Sequence, residues 1–150
     1  MRGRLIVIEG SDGCGKETQS KLLETALKEK GIDTIRISFP FYSSESSGPV
    51  KMYLDGRLGD KEKLSPKQIA SLYAVDRLCI VKQLHIEEEL NAGKWVICDR
   101  YVESNIIYQA ARTGDGFMKR LLAGIRPILT EMNIIIKMSH TRESSFSGII

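Results

Sequence analysis

Apolar residues in this chain come in short dense runs between glycine-punctuated polar stretches, and the period of each run predicts an element. Residues Arg4 to Glu9 (RLIVIE) are compactly apolar and end at Gly10, so their length and β-branched content predict a buried strand. From Glu17 to Lys30 the apolar positions Leu22, Leu23, Ala26 and Leu27 recur at helical spacing, with Gly31 as the stop. Asp33 to Phe39 then alternates in character and predicts a second strand, closed by Pro40. Strand, glycine-rich turn, helix, strand is a βαβ unit and implies a parallel sheet with covering helices.

The serine-rich stretch Phe41 to Pro49 predicts a loop, Val50 to Leu54 a short helix, and Asp55 to Leu64 a charged loop. Ser65, Pro66 and Gln68 stand at the N-cap, N1 and N3 positions of a helix expected to continue to about Asn91, where Ala92-Gly93 ends it. Lys94 to Cys98 (KWVIC) predicts a third strand, closed by Asp99-Arg100, and Val102 to Arg112 a helix stopped by Gly114. Beyond Asp115 the pattern thins: Met118 to Ile125 reads as helix, Pro127 breaks it, and Met132 to Met138 reads as a further strand. Ser139 to Gly148 has no periodicity and is assigned no structure.

Composition narrows the class of protein. At 42% hydrophobic and 27% charged, the 150 residues suit one globular domain with a real core. No apolar run approaches the roughly 18 residues of a membrane span, and the first residues predict no signal peptide. A net charge of +3, from 22 basic and 19 acidic residues, with no aromatic-studded basic stripe, predicts neither a nucleic-acid nor a membrane partner. Cys14, Cys79 and Cys98 form an odd, scattered set without a CxxC pair, read as free thiols in a cytoplasmic setting.

The chemistry begins in the first turn. Gly10-Ser11-Asp12-Gly13-Cys14-Gly15-Lys16 fits GxxxxGK between a strand and a helix, where glycines let backbone N–H groups curl around a phosphate. Lys16 would reach the outer phosphates as a point charge. The full pattern has Ser or Thr next, to hold magnesium; here Glu17 stands there, with Thr18 one step later. Residues Gly10 through Thr18 are therefore the candidate ATP-phosphate site. The competing reading is a glycine-rich βα turn with a chance lysine, and Cys14 is read as a small residue tolerated in the loop.

Four segments, IEGSDGCGKETQSKLL, the Phe39-Pro40 corner, SLYAVDRL and VICDRYVESNIIYQAAR, occur in the order and spacing of thymidylate kinases, and Val50 to Leu54 resembles a segment of similar bacterial enzymes. On these motifs the chain resembles the thymidylate kinase family over roughly residues 2–114. The resemblance implies an α/β, P-loop NTPase fold of the nucleoside monophosphate kinase kind, a parallel sheet with helices on both faces. It implies transfer of the ATP γ-phosphoryl group to dTMP with Mg²⁺, in a homodimer. Residue by residue, it implies that Tyr73 stacks on thymine and that Arg77, four residues on and on the same helical face, hydrogen-bonds the base. Phe39 joins this acceptor set. Arg100 would hold the acceptor phosphate as a planar fork, with Asp99 supporting the metal beside Glu17. Asp12 would lie near the 3′-hydroxyl and the metal, Asn105 would pair with the thymine edge, and Tyr108 would exclude a 2′-hydroxyl. Lys16, Arg100 and Asp12 are the candidate catalytic residues.

Two departures accompany the resemblance. Phe41 stands where many relatives place a polar or basic residue, and the arginine-bearing lid and adenine loop of the family are not recognisable in residues 116–150. One kinase domain over 1–150, with a divergent part from 115, is the expectation. The alternatives are a truncated, weakly active or non-catalytic nucleotide-binding relative, and a P-loop ATPase acting on a macromolecule.

Overall fold

The computed structural model describes residues 1–101 and 133–138. Its centre is a parallel sheet of β1 (Leu5–Gly10), β2 (Thr34–Ser38), β3 (Trp95–Asp99) and β4 (Asn133–Met138), ordered β2-β3-β1-β4. The strands predicted from apolar runs are all present, shifted by a residue at some ends. The predicted helices at Val102 to Arg112 and Met118 to Ile125 lie outside the described residues.

β1 is apolar along its length because it is covered on both faces, as expected for an interior strand of a parallel sheet. Ile6 and Ile8 point to one side, where Ile97, Leu27, Leu23 and Ile136 complete a cluster. Val7 points to the other side, with Val96, Cys98, Ile37, Phe39, Ile80, Ile86 and Leu90. The first face is closed by α1 (Lys16–Glu29) and the second by α3 (Pro66–Gln83) and α4 (Ile86–Asn91). A shorter α2 (Gly48–Leu54) packs against α3 and the 3₁₀ turn Glu45–Ser47. The expected helices on both faces are therefore present. No helix among the described residues is long and apolar enough to cross a membrane.

Local sequence explains most boundaries. Ser65 and Gln68 form a reciprocal capping box at the start of α3, with Pro66 in the first turn. Three expectations need correction. The long helix to Asn91 is two helices: α3 ends at Gln83, and His85 adopts a left-handed φ of 49°. That break redirects the chain so that Ile86 and Leu90 bury against the sheet. On α1, Leu22 and Ala26 are exposed, because the sheet-facing line runs through Lys16, Ser20, Leu23 and Leu27. The stretches expected as loops contain 3₁₀ turns at Glu45–Ser47 and Lys61–Lys63, each capped by the preceding side chain, Ser44 and Asp60.

Candidate nucleotide site

The C-terminal ends of β1 and β3 lie side by side, with Ile8 opposite Asp99. Open α/β sheets place their ligands at this edge, where connections depart to opposite faces. From β1 the chain turns through residues 10–15 into α1. Gly13 (φ 76°) and Gly15 (φ 87°) take left-handed conformations that would strain a side-chain-bearing residue. Gly15 is also the N-cap and offers no side-chain cap to the helix. The first-turn N–H groups of α1 are therefore without intrahelical partners and point to the loop, the arrangement that receives phosphate oxygens.

Lys16 is the first residue of α1, yet it is only 6% exposed. Its Nζ donates to the Ser11 carbonyl and lies 3.6 Å from Cys14 Sγ, so the ammonium sits within the loop. Glu17 points elsewhere: its carboxylate is exposed and accepts from Lys21 Nζ at 2.6 Å, a pair that lowers its pKa. Thr18 is exposed.

Asp99 ends β3 and is 7% exposed. Burial raises its carboxyl pKa, and the nearby cations Lys16 and Arg100 oppose that rise. Among the metal candidates, Asp99 fits best. Magnesium keeps several waters and takes one or two carboxylates besides substrate phosphates, so one carboxylate close to Lys16 is chemically sufficient. Glu17 would have to leave Lys21 to join it.

Arg100 follows with a left-handed φ of 65°, which for a non-glycine residue costs on the order of 1–3 kcal/mol. Its own N–H donates to the Ile8 carbonyl at 3.0 Å, and its guanidinium Nη2 pairs with Asp12 Oδ1 in the phosphate loop. The candidate acceptor cation and the candidate donor loop are thus in direct contact across the edge of the sheet.

Tyr101 joins Phe39 to Arg77. Its ring meets Phe39 at 5.7 Å between centroids, and the Arg77 guanidinium lies 6.0 Å from it. Arg77 Nη1 also makes a long contact of 3.5 Å to the Tyr101 carbonyl. Burial lowers the Arg77 pKa, opposed by Tyr101, Asp76 and Glu9, though an arginine so placed remains a cation at neutral pH. Tyr73, half-buried, shares the α3 face with Arg77. Phe39 is core, 4% exposed, so it belongs to the floor beneath the other residues. Asn105 and Tyr108 lie outside the described residues.

Three residues that the sequence reading left unassigned belong to this arrangement. Asp76, 1% exposed on α3, accepts from the Phe41 N–H at 2.9 Å and the Ser46 hydroxyl at 2.7 Å, and so ties the helix to the loop after β2. Glu9, also buried, accepts from the Tyr101 N–H at 2.9 Å. Tyr42, half exposed, has its hydroxyl pKa raised by partial burial and lies in the field of Arg100, Asp76 and Asp12. Asp76 sits inside SLYAVDRL, where a charged residue between apolar ones was the available signal. Glu9 ends an otherwise apolar strand, a second such signal. Tyr42 had none beyond its neighbours.

Comparison with known proteins adds an independent line. A family model described as thymidylate kinase matches residues 8–139, reaching beyond the limit of about 114 drawn from motifs and including β4. The chain is 41% identical over 112 residues to a probable thymidylate kinase of Pyrococcus horikoshii, covering 75% of this chain and 54% of that one. It is 34% identical over 116 residues to a thymidylate kinase of Rhizorhabdus wittichii, covering 77% and 54%. It therefore spans about half the length of these curated relatives. A solved thymidylate kinase structure from Candida albicans superposes with a TM-score of 0.67 at 26% identity, over 97% of this chain and 69% of that one.

Proposed function

We propose that this chain, which belongs to the thymidylate kinase family, acts as the nucleotide-binding and phosphoryl-transfer unit of a dTMP kinase, moving the ATP γ-phosphoryl group to the 5′-phosphate of dTMP to give dTDP and ADP. The observation that carries this reading is the Arg100–Asp12 contact, which brings an acceptor-phosphate cation against the loop suited to the donor phosphates.

Phosphoryl transfer asks little covalent chemistry of the protein; it asks for alignment and for positive charge where charge moves. The loop N–H groups and Lys16 would hold the donor phosphates. Arg100 offers two parallel N–H donors to the acceptor phosphate, which must exchange for its present bond to Asp12. Asp12 would then accept from the sugar hydroxyl. Arg77 and Tyr73 would read the base from α3, over the floor formed by Phe39 and Tyr101. Asn105 and Tyr108 complete the acceptor set on the resemblance alone. Asp99 would hold or support Mg²⁺, which when bound would supply positive charge to offset that on the transferring group.

The reading extends to one kinase domain over residues 1–150, in the cytoplasm, working as a homodimer. An apolar stripe on α3 supports the dimer: Val75 and Leu78 are 48% and 60% exposed, next to exposed Ala74 and Cys79.

The test is dTMP titration of the 150-residue protein by calorimetry, beside ADP release with dTMP, ribose TMP and dCMP as acceptors. The expected outcome is binding and turnover with dTMP above both others. Equal affinity for the ribose and deoxyribose forms would remove Tyr108 from its role, and no preference for the thymine base would overturn the reading.

A further inference from the structure

We infer that Glu9 is a positioning residue for phosphoryl transfer, holding Arg100 in its left-handed conformation so that the guanidinium faces the phosphate loop. The inference rests on the reading of Arg100 as the acceptor-phosphate cation and adds the residue through which that cation is aimed.

Arg100 occupies a backbone region that arginine ordinarily avoids, so neighbouring structure must hold it there. Both N–H groups flanking its α-carbon are held by consecutive residues of β1. Its own N–H donates to the Ile8 carbonyl at 3.0 Å, and the next N–H, of Tyr101, donates to Glu9 Oε1 at 2.9 Å. The β1–β3 ladder ends one residue earlier, at the Ile8–Asp99 pair. Beyond it the Glu9 side chain supplies the acceptor that a continuing ladder would have supplied from the backbone. Turning residue 100 to an ordinary negative φ rotates the Tyr101 N–H away from β1, so this hydrogen bond and the conformation of Arg100 stand or fall together.

Burial gives the bond its force. Glu9 is 3% exposed, and a carboxylate so enclosed must be met by donors. Losing its oxygen would leave the part-buried Tyr101 N–H beside an apolar group, which favours relaxation of the turn. Relaxation moves the guanidinium off the line to Asp12 and hence off the acceptor phosphate. Because Glu9 also immediately precedes Gly10, one residue fixes the turn after β3 from the strand that opens the phosphate loop.

The experiment is a double-mutant cycle on the full 150-residue chain, read by calorimetry with dTMP and, separately, with thymidine, which lacks the phosphate. Glu9→Met removes the acceptor at similar volume; Glu9→Gln keeps an oxygen for the Tyr101 N–H. Glu9→Met should weaken dTMP about tenfold or more but thymidine by less than about threefold, since the Arg77 contact to Tyr101 is already long. Glu9→Gln should recover most of that loss. In an Arg100→Ala background, Glu9→Met should cost less than about threefold further, because the residue it acts through is gone. A full tenfold loss in that background, or an equal loss for thymidine, overturns the proposal. If Glu9→Met does not fold, Glu9→Asp, which keeps the charge and withdraws the oxygen by one methylene, runs the same cycle with the same outcomes. Failure of the unaltered chain to bind dTMP would remove the functional reading and this proposal together, a result distinct from additive losses in a chain that binds.

Discussion

Replacing Asp76 tests whether α3 is held by one buried carboxylate. The side chain accepts two hydrogen bonds, from the Phe41 N–H and the Ser46 hydroxyl, and almost none of it reaches solvent. Hydrogen bonds to a charged acceptor contribute roughly 1.5–3 kcal/mol each, so the pair is worth about 3–6 kcal/mol before the cost of burying the charge. Burying a carboxylate offsets part of that gain, and leaving the Phe41 N–H unpaired adds to the loss. Asp76→Asn presents at most one carbonyl oxygen and turns an amide N–H toward a donor, so the net loss should be about 2–4 kcal/mol. In a domain of this size about 1 kcal/mol moves Tm by roughly 2–4 °C, which puts the expected drop near 6–12 °C for a loss of about 3 kcal/mol. Urea unfolding with an unchanged slope is the assay, and Ser46→Ala, losing one bond only, should fall about halfway. An Asp76→Asn chain within about 0.5 kcal/mol of the parent would refute the reasoning, because surface-like substitutions behave that way.

Three further outcomes are expected. Arg100→Ala should weaken dTMP about tenfold or more while Lys16→Ala weakens ATP similarly, measured by separate titrations; an exchange of the two effects would exchange the roles. Cys98, 2% exposed with its thiol pushed up to about 12 by burial, should resist alkylation at pH 8 until the chain unfolds; mass spectrometry of protein labelled before and after unfolding decides it. Hydrogen bonds from Lys28 and Arg36 lower the pKa of Glu24 below 4.5, so its contribution of about 0.5–1 kcal/mol is present above pH 4.5 and fades as pH falls through the lower folded value. Denaturation midpoints of Glu24→Gln and the parent should therefore converge toward pH 3, and a gap unchanged down to that pH would contradict the assignment.

What the sequence disclosed was mostly local. The capping box at Ser65 and the glycines of the phosphate loop act within a few residues, and both are legible as spacing. The strands are legible because β1 and β3 are apolar enough to be covered on both faces, and β4 is a dense apolar run in the sequence. The break at His85 is different: no glycine or proline marks it, and its cause is the burial of Ile86 and Leu90 against a sheet that the local sequence does not reveal. Leu22 and Ala26 satisfy helical periodicity yet lie off the buried line, which includes a polar residue, Ser20. Asp76 and Glu9 were hidden for a related reason. Asp76 accepts from residues 35 and 30 positions away in the chain and Glu9 from one 92 away, so nothing beside them in sequence shows what they hold. Glu17 shows a local competition instead. Its place in the motif suggested a metal, while Lys21, one helical turn on, already engages its carboxylate.

The order of the sheet has a consequence for biosynthesis. β1 is made before the other described strands, yet its two neighbours are β3, beginning at Trp95, and β4, beginning at Asn133. The strand that launches the phosphate loop must therefore wait for more than half the chain before it gains either partner. Such distant pairing slows folding, since long loops must close before the contacts repay them. A nascent or cleaved chain that stops after β3 would present one side of β1 as an open edge, apolar on both faces. An exposed edge of that kind is a template for pairing with another copy. Fragments ending between β3 and β4 should therefore aggregate where chains reaching residue 138 do not, and a chaperone that shields β1 would have to remain bound until β4 has been synthesised.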